Sequence, residues 1–526
     1  MECETNFRTL YPYTLIPLYP YTLIPYTFSM SLLTLLSRPV ATYSIGKIER
    51  QSNHPSFYQK KIFNRLIREG KKTKFGKEHN FNFIKNYEDF KARVPVRDYE
   101  EFKPYIELIK QGESNVLWPG VPLYFCKTSG TVSGVKYIPI TKDSMPNHIN
   151  STRSAILHYI HRTGKSGFLK GKWIFFSGSP EMYKTGSVLT GRLSGIVNHH
   201  VPAYLRTNQM PSYKTNCIED WEQKIDAIVE ETLPRRMTLF SGIPPWVQMY
   251  FEKVIRKTGK KIKEVFPHFS LFVYGGVSFE PYRKKFEEYF GGKVDTLELY
   301  PASEGFIAYQ DAEIEKGLLM LVNSGIFYEF IPAEKFFQPN PPRLTIEEVK
   351  TGVNYALIIN SNAGLWGYSI GDTVKFISQT PPRIQVTGRI KHFISAFGEH
   401  VIAEEVEKAM ELAINKHNLK ITEFTVAPQV NPAEGLPYHE WFVEFSEHPS
   451  DISSFAMDLN QAMADKNIYY RDLIKGNILK PLVVTLIRKG GFLEFMKEEG
   501  KLGGQNKPPR LSNDRSVVDK MGRWKV

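Results

Sequence analysis

The stretch MTLFSGIPPWVQMYFEKVIRKTG, residues 237–259, contains the pattern that decides the fold class. Residues 237–241 are mostly apolar and predict a buried strand, whereas residues 246–257 have the apolar spacing of an amphipathic helix. A turn of small residues, SGIP (241–244), separates the two. A strand, a small turn and a helix in this order predict one unit of a parallel sheet covered by helices.

The same unit recurs on both sides of this stretch. The predicted elements are strands at 172–177, 271–274 and 294–300 and helices at 221–232 and 280–290. Small polar loops follow the strands: SGSP (177–180), SGIP (241–244), YGGVS (274–278) and YPASEG (300–305). In a parallel sheet such loops share the carboxyl edge, where ligands of these sheets bind. We therefore expect a binding site at this edge.

After residue 340 the pattern changes to shorter strands. The predicted elements are strands at 355–360, 374–378, 383–388, 423–427, 440–445 and 482–487 and an amphipathic helix at 401–418. This change predicts an α/β protein of two domains. A large N-terminal domain of helix-flanked, mostly parallel sheets is expected at 30–388, and a smaller α+β C-terminal domain at 389–526.

The first 29 residues differ in character from the remainder. YPYTLIPL (11–18) is followed by YPYTLIPY (19–26), and these prolines forbid a long helix. A basic segment followed by an apolar run is missing, which argues against a signal peptide. We expect residues 1–29 to be a disordered or non-native extension translated from an upstream start.

Composition limits the function classes. With 42% apolar and 13% aromatic residues among 526, the chain can bury large cores. The net charge of +13 comes from lysines and arginines interleaved with acids, which favours solvated faces over a nucleic-acid partner.

Three cysteines without metal or disulfide spacing (Cys3, Cys126 and Cys217) fit a reducing compartment, and we predict the cytoplasm. No apolar run of about 18 residues occurs, so no integral membrane segment is expected; the oligomeric state stays open.

The segment TSGTVSGVKYIPIT (128–141) is a candidate anion-binding loop. Its small residues can present successive N–H groups and hydroxyls to a polyphosphate, although a flexible Ser/Gly turn would have the same composition. It is not a Walker loop, because only three residues separate Gly130 from Gly134 and Lys136 is followed by Tyr137.

Four segments together resemble one known family. TSGTVSGVKYIP (128–139) is similar to the phosphate loop of the adenylate-forming superfamily, which includes acyl-CoA synthetases and luciferases. LYPASEGF (299–306), YSIGDTV (368–374) and GGQNKPPRLSNDR (503–515) are similar to motifs of its auxin-responsive (Gretchen Hagen) branch of acyl acid–amido synthetases. This resemblance implies the adenylate-forming architecture, with a small C-terminal domain that moves about a hinge in TGRIKHF (387–393).

The resemblance also implies roles for individual residues. Tyr300 would stack on adenine, Asp372 would accept the ribose hydroxyls, and Arg389 would reach the ribose or the phosphates. Glu304 would hold Mg²⁺ and act in catalysis, and Lys507 would touch the phosphates or the acyl-adenylate. Lys391 would lie at the hinge. The remaining nucleotide-binding residues would be Thr128, Ser129, Gly130, Thr131, Ser133, Gly275, Gly276 and Ser303.

The implied reaction uses ATP as a substrate. A carboxylic acid would capture AMP with release of pyrophosphate, and an amine, such as an amino acid, would then displace AMP. An acid–thiol ligase that uses CoA shares the first half-reaction and stays open as an alternative. A non-catalytic nucleotide-binding protein is a more remote one, because Glu304, Asp372 and Lys507 are all present.

Overall fold

The computed structural model describes most of the chain. The described residues are 30–129, 135–201, 203–218, 220–276, 279–390, 393–394, 401–475, 478–502, 507–512 and 514–526. The extension predicted at residues 1–29 lies outside them.

Seventeen α-helices lie in the described residues. They are α1 (Met30–Ser52), α2 (Pro55–Gly70), α3 (Lys74–Glu78), α4 (Tyr87–Arg93), α5 (Tyr99–Lys110), α6 (Met145–Thr163), α7 (Leu193–His199), α8 (Ala203–Arg206), α9 (Tyr213–Asn216), α10 (Trp221–Thr232), α11 (Pro244–Thr258), α12 (Ile262–Val265), α13 (Glu280–Phe290), α14 (Ala403–Lys416), α15 (Ile452–Lys466), α16 (Ile468–Lys475) and α17 (Gly491–Glu498). The helices predicted at 221–232 and 280–290 are α10 and α13.

Twenty strands accompany them in the same residues. They are β1 (Tyr124–Ser129), β2 (Val135–Ile140), β3 (Lys172–Phe175), β4 (Tyr183–Thr185), β5 (Val188–Gly191), β6 (Gln209–Met210), β7 (Met237–Ser241), β8 (Leu271–Gly275), β9 (Asp295–Ala302), β10 (Gly305–Tyr309), β11 (Leu318–Met320), β12 (Ile326–Pro332), β13 (Asn354–Ser361), β14 (Tyr368–Gln379), β15 (Pro382–Arg389), β16 (Phe393–Ile394), β17 (Val401–Ile402), β18 (Ile421–Gln429), β19 (Tyr438–Phe445) and β20 (Val483–Leu486).

An eleven-stranded sheet forms the centre of the molecule. Its order is β12-β13-β14-β15-β11-β10-β9-β8-β7-β3-β6. The five strands from β9 to β6 run parallel and contain the strands predicted between residues 172 and 300. The other strands are antiparallel to their neighbours, so the sheet is mixed across its full width. The α/β class is confirmed, and antiparallel strands extend the parallel half of the sheet.

The register of the parallel strands brings their carboxyl ends together. Ser241 lies opposite Phe175 on one side and Val273 on the other, and Gly275 lies opposite Leu299. The loops after β3, β7, β8 and β9 therefore lie at one edge, as expected from the sequence.

Local sequence explains how the helices beside this edge begin and end. The Asp220 side chain accepts a hydrogen bond from the Gln223 N–H and caps α10. Helix α11 has Pro244 in its first turn and ends at Gly259, whose φ of +68° favours glycine. The helices then pack on the sheet, so that Phe240 of β7 and Tyr250 of α11 are both fully buried.

A smaller α+β unit follows the central sheet. Strands β18, β19 and β20 form a three-stranded sheet, and helices α14 and α15 pack on it through their own core around Phe424 and Trp441. A separate four-stranded sheet, ordered β2-β1-β5-β4, carries the segment before the candidate phosphate loop. Every helix among the described residues is too short or too polar to cross a bilayer.

Candidate active site

A tight hairpin forms the middle of the candidate site. Strand β9 continues to Ala302, which pairs with Gly305, so only Ser303 and Glu304 lie in the turn. The sequence predicted that this strand ends at Tyr300, but pairing with β10 continues it to Ala302. The hairpin thus holds Glu304 on a rigid support at the carboxyl edge of the parallel strands.

Tyr300, Asp372 and Arg389 form a connected polar group beside this hairpin. The Tyr300 hydroxyl donates a hydrogen bond of 2.7 Å to Asp372 Oδ2, and Arg389 Nε lies 2.9 Å from Asp372 Oδ1. Arg389 also donates 2.9 Å to the Ile370 carbonyl. Asp372 raises the pKa of the Arg389 guanidinium, and burial followed by the Asp372 charge raises the pKa of the Tyr300 hydroxyl.

Strand geometry explains why Asp372 meets Arg389. The two residues lie opposite each other in β14 and β15. Gly371, just before Asp372, has a φ of +84°, a conformation that favours glycine, and its carbonyl accepts from the Ile390 N–H at 2.7 Å. Tyr300 is only 7% exposed, and the polar contact that it makes is the hydrogen bond from its own hydroxyl to Asp372. Stacking of adenine on its ring stays a prediction.

Glu304 lies in an electrostatic environment that suits a cation. Burial raises the pKa of its carboxyl, while the charges of Lys136 and Arg389 lower it. The Tyr368 hydroxyl is 3.5 Å from Glu304 Oε1, at the limit of a hydrogen bond. Burial therefore raises the free energy of the charged Glu304 carboxylate, and no short ionic partner among the described residues offsets this cost.

The surroundings of Glu304 fit Mg²⁺ better than an all-protein metal site. Among the described residues, no three His, Cys, Asp or Glu side chains cluster as metal ligands. Mg²⁺ commonly takes one or two protein carboxylates and completes its shell with substrate phosphates and water. Glu304 can supply such a carboxylate.

The candidate phosphate loop begins beside this carboxylate. Strand β1 ends at Ser129, and Thr128 lies opposite Lys136 in β2. Gly130, Thr131 and Ser133 lie outside the described residues. The buried Cys126 thiol contacts Ser303, and its pKa is raised to about 12 by burial, with a further contribution from Glu304. The start of the loop and the Glu304 hairpin are therefore neighbours.

Gly275 and Gly276 follow β8 at the same edge. A side-chain Cβ on Gly275 would lie 2.4 Å from the Leu299 carbonyl oxygen in β9, and Gly276 has a φ of +82°. The close approach of two strands therefore explains Gly275 without any nucleoside. A contact of these glycines with ATP stays a prediction.

The C-terminal unit brings Lys507 to the same region. The charges of Arg389, Asp372 and Glu407 act on its ammonium group, whose pKa is lowered to about 8, first by desolvation and then by Arg389. The residue as a whole keeps access to solvent. Lys391 lies outside the described residues, and its place at a hinge stays a prediction.

Three cations near the edge were missed by sequence reasoning. Lys136 was considered only as a Walker lysine, yet its charge acts on Glu304. Lys224 is 2% exposed and donates to the carbonyls of Ser177 and Asn216 at 3.0 and 2.6 Å. Burial, together with the charge of Arg192, lowers its pKa to about 8.

Arg192 connects this cationic region to the rest of the site. It directly follows Gly191, which lies opposite Cys126, and its side chain lies where a Cβ on Gly178 would be placed. Its charge acts on both Cys126 and Lys224. In the sequence, Lys224 is a lysine near the start of a predicted helix, and this pattern indicates neither its burial nor its partners.

Models of three domains of one family match the chain. The GH3 family N-terminal domain matches residues 44–195 and 184–295, the GH3 family central domain matches 319–389, and the GH3 family C-terminal domain matches 404–516. The chain is 22% identical to the jasmonoyl–L-amino acid synthetase JAR4 of Nicotiana attenuata, over 90% of this chain and 92% of that protein. It is 20% identical to the indole-3-acetic acid-amido synthetase GH3.3 of Arabidopsis thaliana, over 90% and 92%.

Solved structures share the fold. A GH3.15 acyl acid amido synthetase in complex with 2,4-DB aligns with a TM-score of 0.74 at 15% identity, covering 96% of this chain and 98% of that one. A 2-hydroxyisobutyryl-CoA ligase in the postadenylation state aligns with a TM-score of 0.59 at 15% identity, covering 88% and 91%.

Proposed function

This chain belongs to the GH3 family, and on that premise we propose that it is an ATP-dependent acyl acid–amido synthetase. The observation that carries the proposal is the meeting of Glu304, the Tyr300–Asp372–Arg389 group and Lys507 at one sheet edge. The relatives named as jasmonoyl–L-amino acid and indole-3-acetic acid-amido synthetases support the same class of reaction.

In the first half-reaction, an oxygen of the substrate carboxylate attacks the α-phosphorus of ATP. The bond between the α-phosphorus and its bridging oxygen breaks, and pyrophosphate leaves with that electron pair. We assign to Asp372 the hydrogen bonds from the ribose, and to its neighbours Arg389 and Lys507 the offset of negative charge that develops on the phosphate oxygens. Thr128, Ser129, Gly130, Thr131, Ser133 and Ser303 are proposed phosphate contacts, with Gly275 and Gly276 beside the nucleoside.

We propose Mg²⁺ as the accompanying cation, held by Glu304. When bound, it would neutralise charge on the phosphate oxygens. The raised pKa of Glu304 supports this assignment, because a carboxylate that burial disfavours gains most from a nearby cation.

In the second half-reaction, the nitrogen of an amine attacks the acyl carbonyl carbon. AMP leaves, and the nitrogen loses a proton, so an amide forms. The charge of Arg192 acts on Cys126, which contacts the hairpin, and also on Lys224. This positive charge suits an acceptor that carries a carboxylate, as an amino acid does. We further propose a cytoplasmic reaction, which rests on the free Cys126 and Cys217.

The second candidate is an acid–thiol ligase that uses CoA. The shared fold of the 2-hydroxyisobutyryl-CoA ligase favours keeping it, because both reactions pass through the same acyl-adenylate. The two candidates differ in the acceptor, so only the second half-reaction separates them.

ATP–pyrophosphate exchange across a panel of carboxylic acids tests the proposal. We expect exchange that depends on the acid, followed by amide formation when amino acids are added. Lys507→Met should reduce the exchange, whereas Lys501→Met, in the same terminal segment but paired with Glu499 on the surface, should not. Turnover with CoA and none with amino acids would contradict the amide proposal.

A further inference from the structure

The segment that carries Lys507 is fixed to the small domain on one side. The Thr425 hydroxyl donates 2.6 Å to the Pro509 carbonyl, and Arg510 Nη1 donates 2.7 Å to the Phe424 carbonyl. The Arg510 guanidinium also lies 4.1 Å from the centre of the Phe424 ring. Because Arg510 is three residues after Lys507, its position limits where Lys507 can reach.

On the other side, the same arginine meets the large domain. Tyr282 in helix α13 accepts a 3.2 Å hydrogen bond from Arg510 Nη2. Its hydroxyl donates to Glu423, with oxygen–oxygen distances of 3.1 and 3.3 Å. Tyr282 is 2% exposed, so water does not compete freely for these bonds.

The acidic partners of Arg510 belong to the small domain. Glu423 in β18 lies 2.7 Å from Arg510 Nη1, and Glu407 in α14 lies 3.3 Å from Arg510 Nε. Tyr282 thus adds a neutral hydroxyl from the large domain to a buried group whose charged members, Arg510, Glu423 and Glu407, all lie in the small domain. A neutral hydroxyl is suited to this place, because it can be withdrawn without leaving an unpaired charge behind.

Other polar contacts between the two domains are more exposed than Tyr282. Lys497 pairs with Glu222 at 2.5 Å, Lys420 with Glu288 at 2.6 Å and Lys375 with Glu404 at 2.7 Å. The side chains of these three pairs are between 17% and 54% exposed. Such pairs contribute little and are screened by salt. The apolar side chain of Leu502 packs against the cores of both domains and adds a non-directional contact.

We propose that Tyr282 is a positioning residue that holds the small domain in the orientation where Lys507 faces Asp372 and Arg389. This inference rests on the proposed function for its kinetic consequence. The contact serves the first half-reaction, in which Lys507 acts on the phosphates. The proposed role of Lys507 ends when pyrophosphate has left, so we expect transfer of the acyl group to the amine not to need the contact.

A matched pair of tyrosine variants tests the assignment. Tyr282→Phe removes the hydroxyl that joins the domains. Tyr289→Phe, on the same helix, removes a hydroxyl that donates 2.6 Å to Glu252 within the large domain. We expect Tyr282→Phe to lower the rate of acid-dependent ATP–pyrophosphate exchange about tenfold, as for the loss of a hydrogen bond to charged groups. Transfer from preformed acyl-adenylate to the amine should stay unchanged, and Tyr289→Phe should leave both rates unchanged.

A conformational measurement separates this proposal from the proposed function. Spin labels placed at the exposed Lys260 and Glu447, in a background without reactive cysteines, report the distance between the domains. Wild type and Tyr289→Phe should show one narrow distance, and Tyr282→Phe should add a second population. If the wild type shows no exchange with any acid, the proposed function fails, while this distance still decides the role of Tyr282.

Two results would overturn the inference. One is an unchanged distance distribution in Tyr282→Phe. The other is an equal loss in both half-reactions, which would indicate a general structural role.

Discussion

Two ionic groups on the central sheet have similar chemistry and opposite accessibility. In the closed group, Glu329 is 0% and Arg343 7% exposed at the side chain, and Glu329 accepts from Arg343, the Tyr87 hydroxyl and the Asn360 amide. In the open group, the Arg389 side chain is 48% exposed beside Asp372. The closed group has its bonds satisfied within the protein and supports the sheet. In the open group, the exposed part of the Arg389 side chain is accessible to a ligand.

The largest expected effect comes from breaking the closed group. Glu329→Gln leaves the Arg343 guanidinium buried without a countercharge, which should lower the free energy of unfolding by about 3–5 kcal/mol. Urea unfolding followed by tryptophan fluorescence measures this loss. The exposed Glu88, paired with Lys91 on a helix surface, provides the control: Glu88→Gln should unfold like the wild type. Equal midpoints for Glu329→Gln and the control would remove the distinction between the two groups.

Glu304→Gln should affect the chemistry and spare the fold. Loss of the carboxylate should slow ATP–pyrophosphate exchange about 100-fold, as expected when charge stabilisation in the transition state is removed. The folded-state pKa of Glu304 is raised above its ordinary value. The folded protein therefore loses stability as the pH rises from the ordinary pKa through the folded-state pKa, because the carboxyl must then ionise in its buried position. The neutral amide should therefore unfold no more easily at pH 7. A variant that exchanges normally would exclude Glu304 as the proposed metal ligand; Glu313→Gln, in the exposed loop after the hairpin, is the control.

Asp372→Asn should have a smaller effect on catalysis. The amide can still accept from Tyr300, but it loses the charge that attracts Arg389. We expect the KM for ATP to rise about tenfold, equivalent to about 1.4 kcal/mol. Because Arg389 is half exposed, stability should change by less than about 1 kcal/mol. An unchanged KM, equal to that of the surface control Asp458→Asn, would argue against a ribose contact.

The smallest effect concerns the ionisation of Lys507. Its pKa is lowered to about 8 by desolvation and by Arg389, opposed by Asp372 and Glu407. The charged form dominates below this value, so the exchange rate should fall about fourfold between pH 7 and pH 8.5. Lys507→Arg, which keeps its charge, should show a flatter profile. Parallel profiles for the two proteins would place the titrating group elsewhere.

Much of the scaffold could be predicted from local patterns. Helix α10 begins and ends where the apolar spacing of residues 221–232 predicted, because capping and amphipathicity are local properties. The extension of β9 to Ala302 was not predicted, since it depends on pairing with β10. Glu304 was selected by its motif, but the hairpin that holds it and its raised pKa depend on the folded surroundings.

The sequence by itself determined the alternation of strands and helices, the carboxyl edge of the parallel strands and the family motifs that lie on it. These features follow from periodicity and from short segments of chain. Only the tertiary structure decided that Arg389 meets Asp372, that Arg192 lies near both Cys126 and Lys224, and that Tyr282 bonds to Arg510 more than 200 positions away. Charges and hydroxyls act over a few ångströms in space, and sheet pairing and domain packing set those distances.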